Sequence, residues 1–225
     1  MSAIFKREFK TFFTSPIGYF VLAVLFGFSG FYFFATNMYA GSADLSGVFG
    51  GLFTIVLLLV LPVLTMRLLS DDKRQRTDQA LLTAPVSLTG IALGKFLAAL
   101  LLFAIGISIT LVFAVIIAFQ VTPDWLVIVG NYVGLLLLGG MVIAIGLFIS
   151  SLTESQFIAA LGTFVVSFAM IMVDSLGSVF SSVKWITSVV NFISVSSRYS
   201  DFTSGVINYD NVVFFLSLQA LFVFL

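Results

Sequence analysis

The chain has 225 residues, 60% of them hydrophobic and only 9% charged, with a mean hydropathy of +1.21. A water-soluble domain of this size keeps roughly a quarter of its residues charged, so lipid rather than water must solvate most of this surface. Ten basic residues balance ten acidic ones, and Cys and His are both absent; nucleic-acid binding has no support, and disulfides, thiol nucleophiles, imidazole bases and soft-metal sites are excluded together.

Residues 2–14 place Ile4, Phe5, Phe9, Phe12 and Phe13 on one face of a helix and Lys6, Arg7 and Lys10 around the other. This pattern predicts an amphipathic helix lying in the membrane interface, serving as a topology anchor or as a docking element. Pro16 ends it. The apolar stretch from Ile17 to Ala35 is longer than a signal-peptide core and no A-x-A site follows, so an uncleaved signal anchor is predicted.

A span needs about 20 apolar residues, and six segments qualify or nearly do: 17–40, 48–69, 91–119, 127–151, 157–175 and 209–225. The third has 29 residues, about 43 Å of helix against a hydrocarbon core of ~30 Å, and is expected to tilt, kink or protrude. The last stops at Leu225 without a polar flank, which predicts that the chain continues. Lys6, Arg7, Lys10, Arg67, Lys73, Arg74, Arg76 and Lys95 fall on one side of this scheme and only Lys184 and Arg198 on the other. The asymmetry places the N-terminus and the loop after the second span in the cytoplasm. The chain thus reads as one all-α integral membrane domain over residues 1–225, multi-pass in a bacterial cytoplasmic (inner) membrane.

In the loop from Ser70 to Pro85, Ser70 or Asp71 can cap a helix with an acidic first turn. Ala80, Leu81 and Leu82 continue it until Pro85. A charged helix ending in a Leu pair suits a groove on a cytoplasmic partner; the alternative is a stop-transfer cluster held by anionic headgroups. Between Leu176 and Asn208, Val179, Val183, Ile186, Val190 and Ile193 recur as one helical stripe, and Lys184 with Trp185 suits an outer interface. A partly re-entrant helix pair over the outer mouth fits, as does a helix lying on the outer leaflet. The pairs Gly47/Gly51 and Gly130/Gly134, with Gly139, Gly140 and Gly146, allow close helix approach, most simply within the chain.

Arg67, Lys95 and Glu154 sit at cytoplasmic span ends, and Asp44, Asp124, Asp174, Asp201 and Asp210 near or beyond the outer ends. None lies at the middle of a predicted span. Ion-coupled carriers place such groups at the midplane, and intramembrane enzymes need His, Cys or paired carboxylates. Both a stand-alone carrier or channel and an enzyme are therefore disfavoured. With no G-x-x-x-x-G-K-[ST] the chain cannot bind ATP itself, and its energy must come from another chain.

Specific strings add to this. Thr65-Met-Arg-Leu-Leu69, the acidic-basic run after it, Leu81-Leu-Thr-Ala-Pro-Val86 and Gly94-Lys-Phe96 resemble the second-span and coupling-helix region of type-2 ABC transporter permeases. The resemblance is to the branch of the gliding-motility permease GldF and the nitrous-oxide-reductase-associated permease NosY. Ser150-Ser-Leu-Thr-Glu-Ser-Gln156 and Phe202-Thr-Ser-Gly-Val-Ile207 with Asp210 match in the same order. That branch usually has Gly-Thr-x-Glu in the coupling helix, where this chain has Arg76-Thr77-Asp78. The resemblance implies a six-span exporter permease paired with a second copy or a paralogue and seated on two cytoplasmic ATPases that hold ATP and Mg²⁺. It leaves room for an extracytoplasmic accessory protein, and no cofactor or metal is expected on this chain. Asp71, Asp72, Lys73, Arg74, Arg76, Asp78, Leu81 and Leu82, with Thr153 and Glu154, would couple to the ATPases. Lys6, Arg7 and Lys10 would hold the interface helix, and Phe180, Trp185, Phe192 and Phe202 would serve an outer gate. The cargo is not identified.

Overall fold

The computed structural model describes residues 2–76, 87–119, 121–179 (backbone only from 174), 194–206 and 208–225. Every regular element among them is helical. In chain order these are α1 (Ser2–Thr14), α2 (Pro16–Phe33) with the π-helical turn π1 (Phe34–Tyr39), α3 (Ser46–Ile55), π2 (Val56–Val60), α4 (Leu61–Thr65) and α5 (Ser70–Arg74). After residues 77–86 come α6 (Leu88–Ile107), α7 (Ile109–Ala118), α8 (Trp125–Leu152), α9 (Gln156–Val179), α10 (Val195–Thr203) and α11 (Tyr209–Phe224).

Five helical stretches are long and apolar enough to cross a membrane: Pro16–Tyr39, Ser46–Arg74, Leu88–Ala118, Trp125–Leu152 and Gln156–Val173. The sixth expected span, 209–225, is the shorter apolar helix α11 of 16 residues. At 1.5 Å per residue it extends about 24 Å, less than the ~30 Å hydrocarbon thickness. The over-long third segment does break, as its length demanded. Ser108 divides α6 from α7, its hydroxyl donating to the Ala104 carbonyl at 2.6 Å and lying 3.2 Å from the Tyr132 hydroxyl. A serine bonded back to the preceding turn is a common cause of such bends. The second span bends through π2 just before Pro62, whose missing N–H and ring exclude a regular turn there.

α8 is the mast of the bundle. Of its most apolar 18-residue window 78% is buried, against 17% for α9, and α4, α6, α9, α10 and α11 all pack on it. Glycines make this possible, because each partner lies where a Cβ would stand. The Phe103 ring of α6 fills the notch at Gly139, Thr65 that at Gly146 and Gln219 that at Gly140, where the Gln219 amide donates to the Leu137 carbonyl at 2.9 Å. At the other end Phe202 of α10, fully buried, occupies the Gly130/Gly134 notch, 2.7 Å from a Cβ placed on Gly134. Gly47 and Gly51 do the same for Thr36 and Tyr32 between α3 and α2. The small-residue pairs thus serve packing within the chain.

α1 is amphipathic as expected. Ile4 and Phe12 are buried against α6 and α2, while Lys6, Arg7 and Lys10 are exposed. Ser15 is extended and Pro16 opens α2, so the chain turns from interface to span at one residue. Two acids of the opposite end have structural work only. Asp124 caps α8, accepting from the Leu126 and Val127 N–H at 3.1 and 3.4 Å, and Asp44 accepts from the Ser46 N–H at 2.9 Å. If Phe202 anchors α10 through the glycine notch, Gly134→Val should destabilise the protein by about 2 kcal/mol through overpacking. Thermal denaturation of the detergent-solubilised protein would show the drop, with Gly30→Val, which meets open space, as the control.

Candidate functional site: a charged junction at the basic end

The short helix α5 has no side-chain cap of its own. Leu69 is its N-cap residue, so neither Ser70 nor Asp71 caps it as the sequence suggested. The Ser70 hydroxyl instead donates back to the Met66 carbonyl. The cap comes from α8, where the Ser150 hydroxyl accepts from the Leu69 N–H at 3.0 Å and the Ser70 N–H at 2.9 Å. Two of the orphan donors at a helix start are thereby satisfied by another helix. Lys73 completes the clasp by donating to the Ser151 carbonyl at the C-terminal end of α8, where the helix dipole favours a cation. Asp71 carries the clasp to α9 and to the turn before α5. It receives the Gln156 amide at the start of α9 at 2.8 Å and pairs with Arg67, one turn back, at 3.2 Å.

Asp72 faces the other way, into the bundle. Lys95 is 2% exposed although it is an ammonium on a transmembrane stretch, and it pairs with Asp72 at 2.7 Å and Glu8 at 3.1 Å. Arg7 joins the set, 2.6 Å from Glu8 and 4.0 Å from Asp72. The Glu8 hydrogen bond dominates in holding the Arg7 guanidinium above its ordinary value; burial opposes it, and the charges of Glu8 and Asp72 add to it. These groups line a cavity of about 230 Å³ with three cations, Arg7, Arg67 and Lys95, against three carboxylates, Glu8, Asp71 and Asp72. The lining is therefore balanced in charge. What the arrangement can do is lock α1, α5 and α6 to one another.

α5 is shorter than expected. The sequence predicted one helix from about Asp71 through Leu82, but it ends at Arg74, and Arg76 has a φ of 55°. That left-handed conformation suits glycine, the residue the resemblance places there, and costs an Arg roughly 1 kcal/mol. Arg74, Gln75 and Arg76 are exposed. Of the coupling residues read from the sequence, Asp71, Asp72 and Lys73 are thus engaged inside the chain, while Arg74 and Arg76 face outward. Thr153 follows α8 and its hydroxyl accepts from the Ser155 N–H at 3.1 Å, beside an exposed Glu154, in the turn that leads to Gln156. Asp78, Leu81 and Leu82 lie outside the described residues, as do Phe180, Trp185 and Phe192 of the expected outer gate. Phe202, the fourth residue of that set, is fully buried against Gly130 and Gly134. Sequence reasoning missed Glu8, Ser150 and Gln156 as partners, and only the position of Lys95 two turns inside a span could have prompted a search for its counterions.

At the opposite end a second polar group ties α10 to α11. The Asn211 amide donates to Asp201 at 2.8 Å and to the Arg198 carbonyl at 3.3 Å, Arg198 donates back to Asn211 at 3.0 Å, and the Asn208 amide donates to Asp201 at 3.0 Å. The Arg198 guanidinium also lies 4.2 Å from the centre of the Phe214 ring.

A multi-pass helical chain with a charged junction at one end has the form of a transporter's membrane component. A family model described as "ABC-2 family transporter protein" matches residues 6–172, and the chain belongs to that family of ABC transporter permeases, which implies partnership with ABC ATPase subunits. No curated protein and no solved structure matches it.

Lys95→Met leaves Glu8 and Asp72 without their buried cation and should cost about 3 kcal/mol, whereas the triple variant Lys95→Met/Glu8→Gln/Asp72→Asn should recover most of that loss. Denaturant unfolding in detergent measures both, and equal losses would contradict a paired network. Arg76→Gly should gain roughly 1 kcal/mol by relieving the left-handed residue, read in the same assay.

Proposed function

We propose that this chain is the permease subunit of an ATP-driven ABC exporter of the GldF/NosY-like branch. It crosses a bacterial cytoplasmic membrane six times with its N-terminus in the cytoplasm, pairs with a second copy or a paralogue, and sits on two ATPase subunits that bind ATP and Mg²⁺. Closure of the ATPases on ATP pushes on the surface around α5 and on the Thr153–Glu154 turn. The push passes into the spans, and the segment 176–208 acts as the outer gate.

The single observation that carries this reading is the clasp on α5. A five-residue helix on the surface of the basic end is joined to α1 and α6 through Asp72, to α8 through Ser150 and Ser151, and to α9 and the turn after α4 through Asp71. A charged loop that merely stopped translocation would need none of these. A force applied at α5 therefore reaches most of the bundle without passing through a flexible link. The absence of ionisable groups from the span centres leaves the chain with no way to take energy from an ion gradient.

The contact with the ATPase is assigned to the outward-facing residues, Arg74, Arg76 and Glu154, because the inward ones are already paired. Arg74→Glu/Arg76→Glu should abolish co-purification of the cognate ATPase subunit and permease-stimulated ATP hydrolysis, while the thermal stability of the isolated permease stays unchanged. Retention of the ATPase and its stimulation in that variant would rule out this surface as the coupling contact.

A further inference from the structure

The molecule carries a second cavity at the basic end that the junction does not use. It has a volume of about 430 Å³, within the range of pockets that enclose small ligands. Its walls are apolar, built from Leu69, Ile91, Ala92, Leu147, Phe148 and Phe222, and they come from the ends of three transmembrane helical stretches and of the shorter helix α11, which meet at the basic end. Leu88 also lines it and is 67% exposed. The flank of the cavity is therefore apolar, as a surface toward acyl chains would be and one toward water would not.

The polar lining comprises Asp72, Lys73, Thr89 and Ser151. Asp72 is committed to Lys95. Lys73 differs from the other cations of the junction, Arg7, Arg67 and Lys95, each of which is paired with a carboxylate. Its ammonium, with three protons to donate, meets the Ser151 carbonyl and, among the described residues, no carboxylate. A cation whose partner among the described residues is a neutral carbonyl, beside an apolar slot at the ends of the helices, complements one kind of molecule. That molecule has an anionic head and a hydrocarbon tail.

We propose that this cavity is a binding site for one anionic phospholipid of the leaflet at the basic end. An acyl chain lies along Ile91, Ala92, Phe148 and Phe222, and the phosphate is received by Lys73, with the Thr89 hydroxyl as a second donor. Lys73 belongs to α5, so the lipid touches the same short helix that the ATPase is proposed to push. Occupancy would brace α5 against α6, α8 and α11 from the side opposite the Lys95 cluster. The site depends on the chain being a membrane protein of its family, and not on the proposed ATPase contact.

The test uses the full chain purified from vesicles of phosphatidylethanolamine with phosphatidylglycerol as the minor component, and counts retained lipids by native mass spectrometry. The wild type should retain a single phosphatidylglycerol in preference to phosphatidylethanolamine. Lys73→Gln should weaken phosphatidylglycerol retention about fivefold, the effect of one interfacial cation, with phosphatidylethanolamine unchanged. Lys73→Arg should preserve the preference, which separates loss of charge from loss of fold. Ala92→Trp, which fills the slot, should remove the retained lipid of either kind. A photoreactive phosphatidylglycerol should label the walls of this cavity. Equal retention of the two lipids by the wild type, undiminished phosphatidylglycerol retention in Lys73→Gln, or labelling confined to other surfaces would overturn the proposal. No ATPase is present in these measurements, so their failure is distinct from failure of the coupling contact.

Discussion

An ammonium removed from water must keep its counterions, and in this protein that requirement organises one whole end of the bundle. Desolvating Lys95 is costly enough that the charge survives only with carboxylates at contact distance. Glu8 and Asp72 supply them, and they come from chain positions before the first span and after the second. Meeting the need of one side chain on α6 therefore brings the interface helix and the α5 helix to the same place. Because Glu8 and Asp72 share this one cation, the junction ties α1, α5 and α6 together.

The second constraint is geometric. α8 has neighbours on nearly every side, and a helix so surrounded needs short interaxial distances to leave no voids. Its glycines at 130, 134, 139, 140 and 146 each receive a side chain or backbone from another helix. Polar atoms are admitted in the same way, provided they find partners. Gln219 reaches the Leu137 carbonyl, and Thr65 back-bonds to the Leu61 carbonyl at 2.8 Å while lying 3.5 Å from Thr163. Hydroxyls and amides satisfied inside the bundle add helix-to-helix specificity without placing a charge in the membrane. α8 also bears both clasps, with Ser150 and Ser151 at one end and the Phe202 notch at the other. The two polar junctions of the molecule thus share one rigid element.

These contacts change what the charged residues of the second-span loop mean. Read alone, the run from Asp71 to Arg76 is an acidic pair followed by basic residues, all offered to a cytoplasmic partner or to lipid headgroups. In the structure Asp71, Asp72 and Lys73 turn inward and Arg74 and Arg76 turn outward, because a single helical turn distributes successive residues around its axis. The left-handed Arg76 then closes the helix. A short helix so held is fixed to its neighbours, and Arg74, Gln75 and Arg76 are left exposed.

Hydropathy, the grouping of Lys and Arg, and the position of Pro16 were sufficient to mark the apolar stretches and the amphipathic α1, and short strings marked the likeness to ABC permeases. These are local properties, carried by windows of about 20 residues. The break at Ser108 was legible as a need, since 29 residues exceed a bilayer's thickness, though not as a place. The helical pattern did not reveal that α5 is capped from α8, that Phe202 is an anchor, or that Lys95 is held by two carboxylates. Each of those depends on a distance between residues far apart in the chain, 80 positions for Ser70 and Ser150 and 87 for Glu8 and Lys95. Periodicity assigns a residue to a face but says nothing of what faces it. Only the close packing of the helices decided which polar groups would meet, because burial leaves each of them no alternative partner.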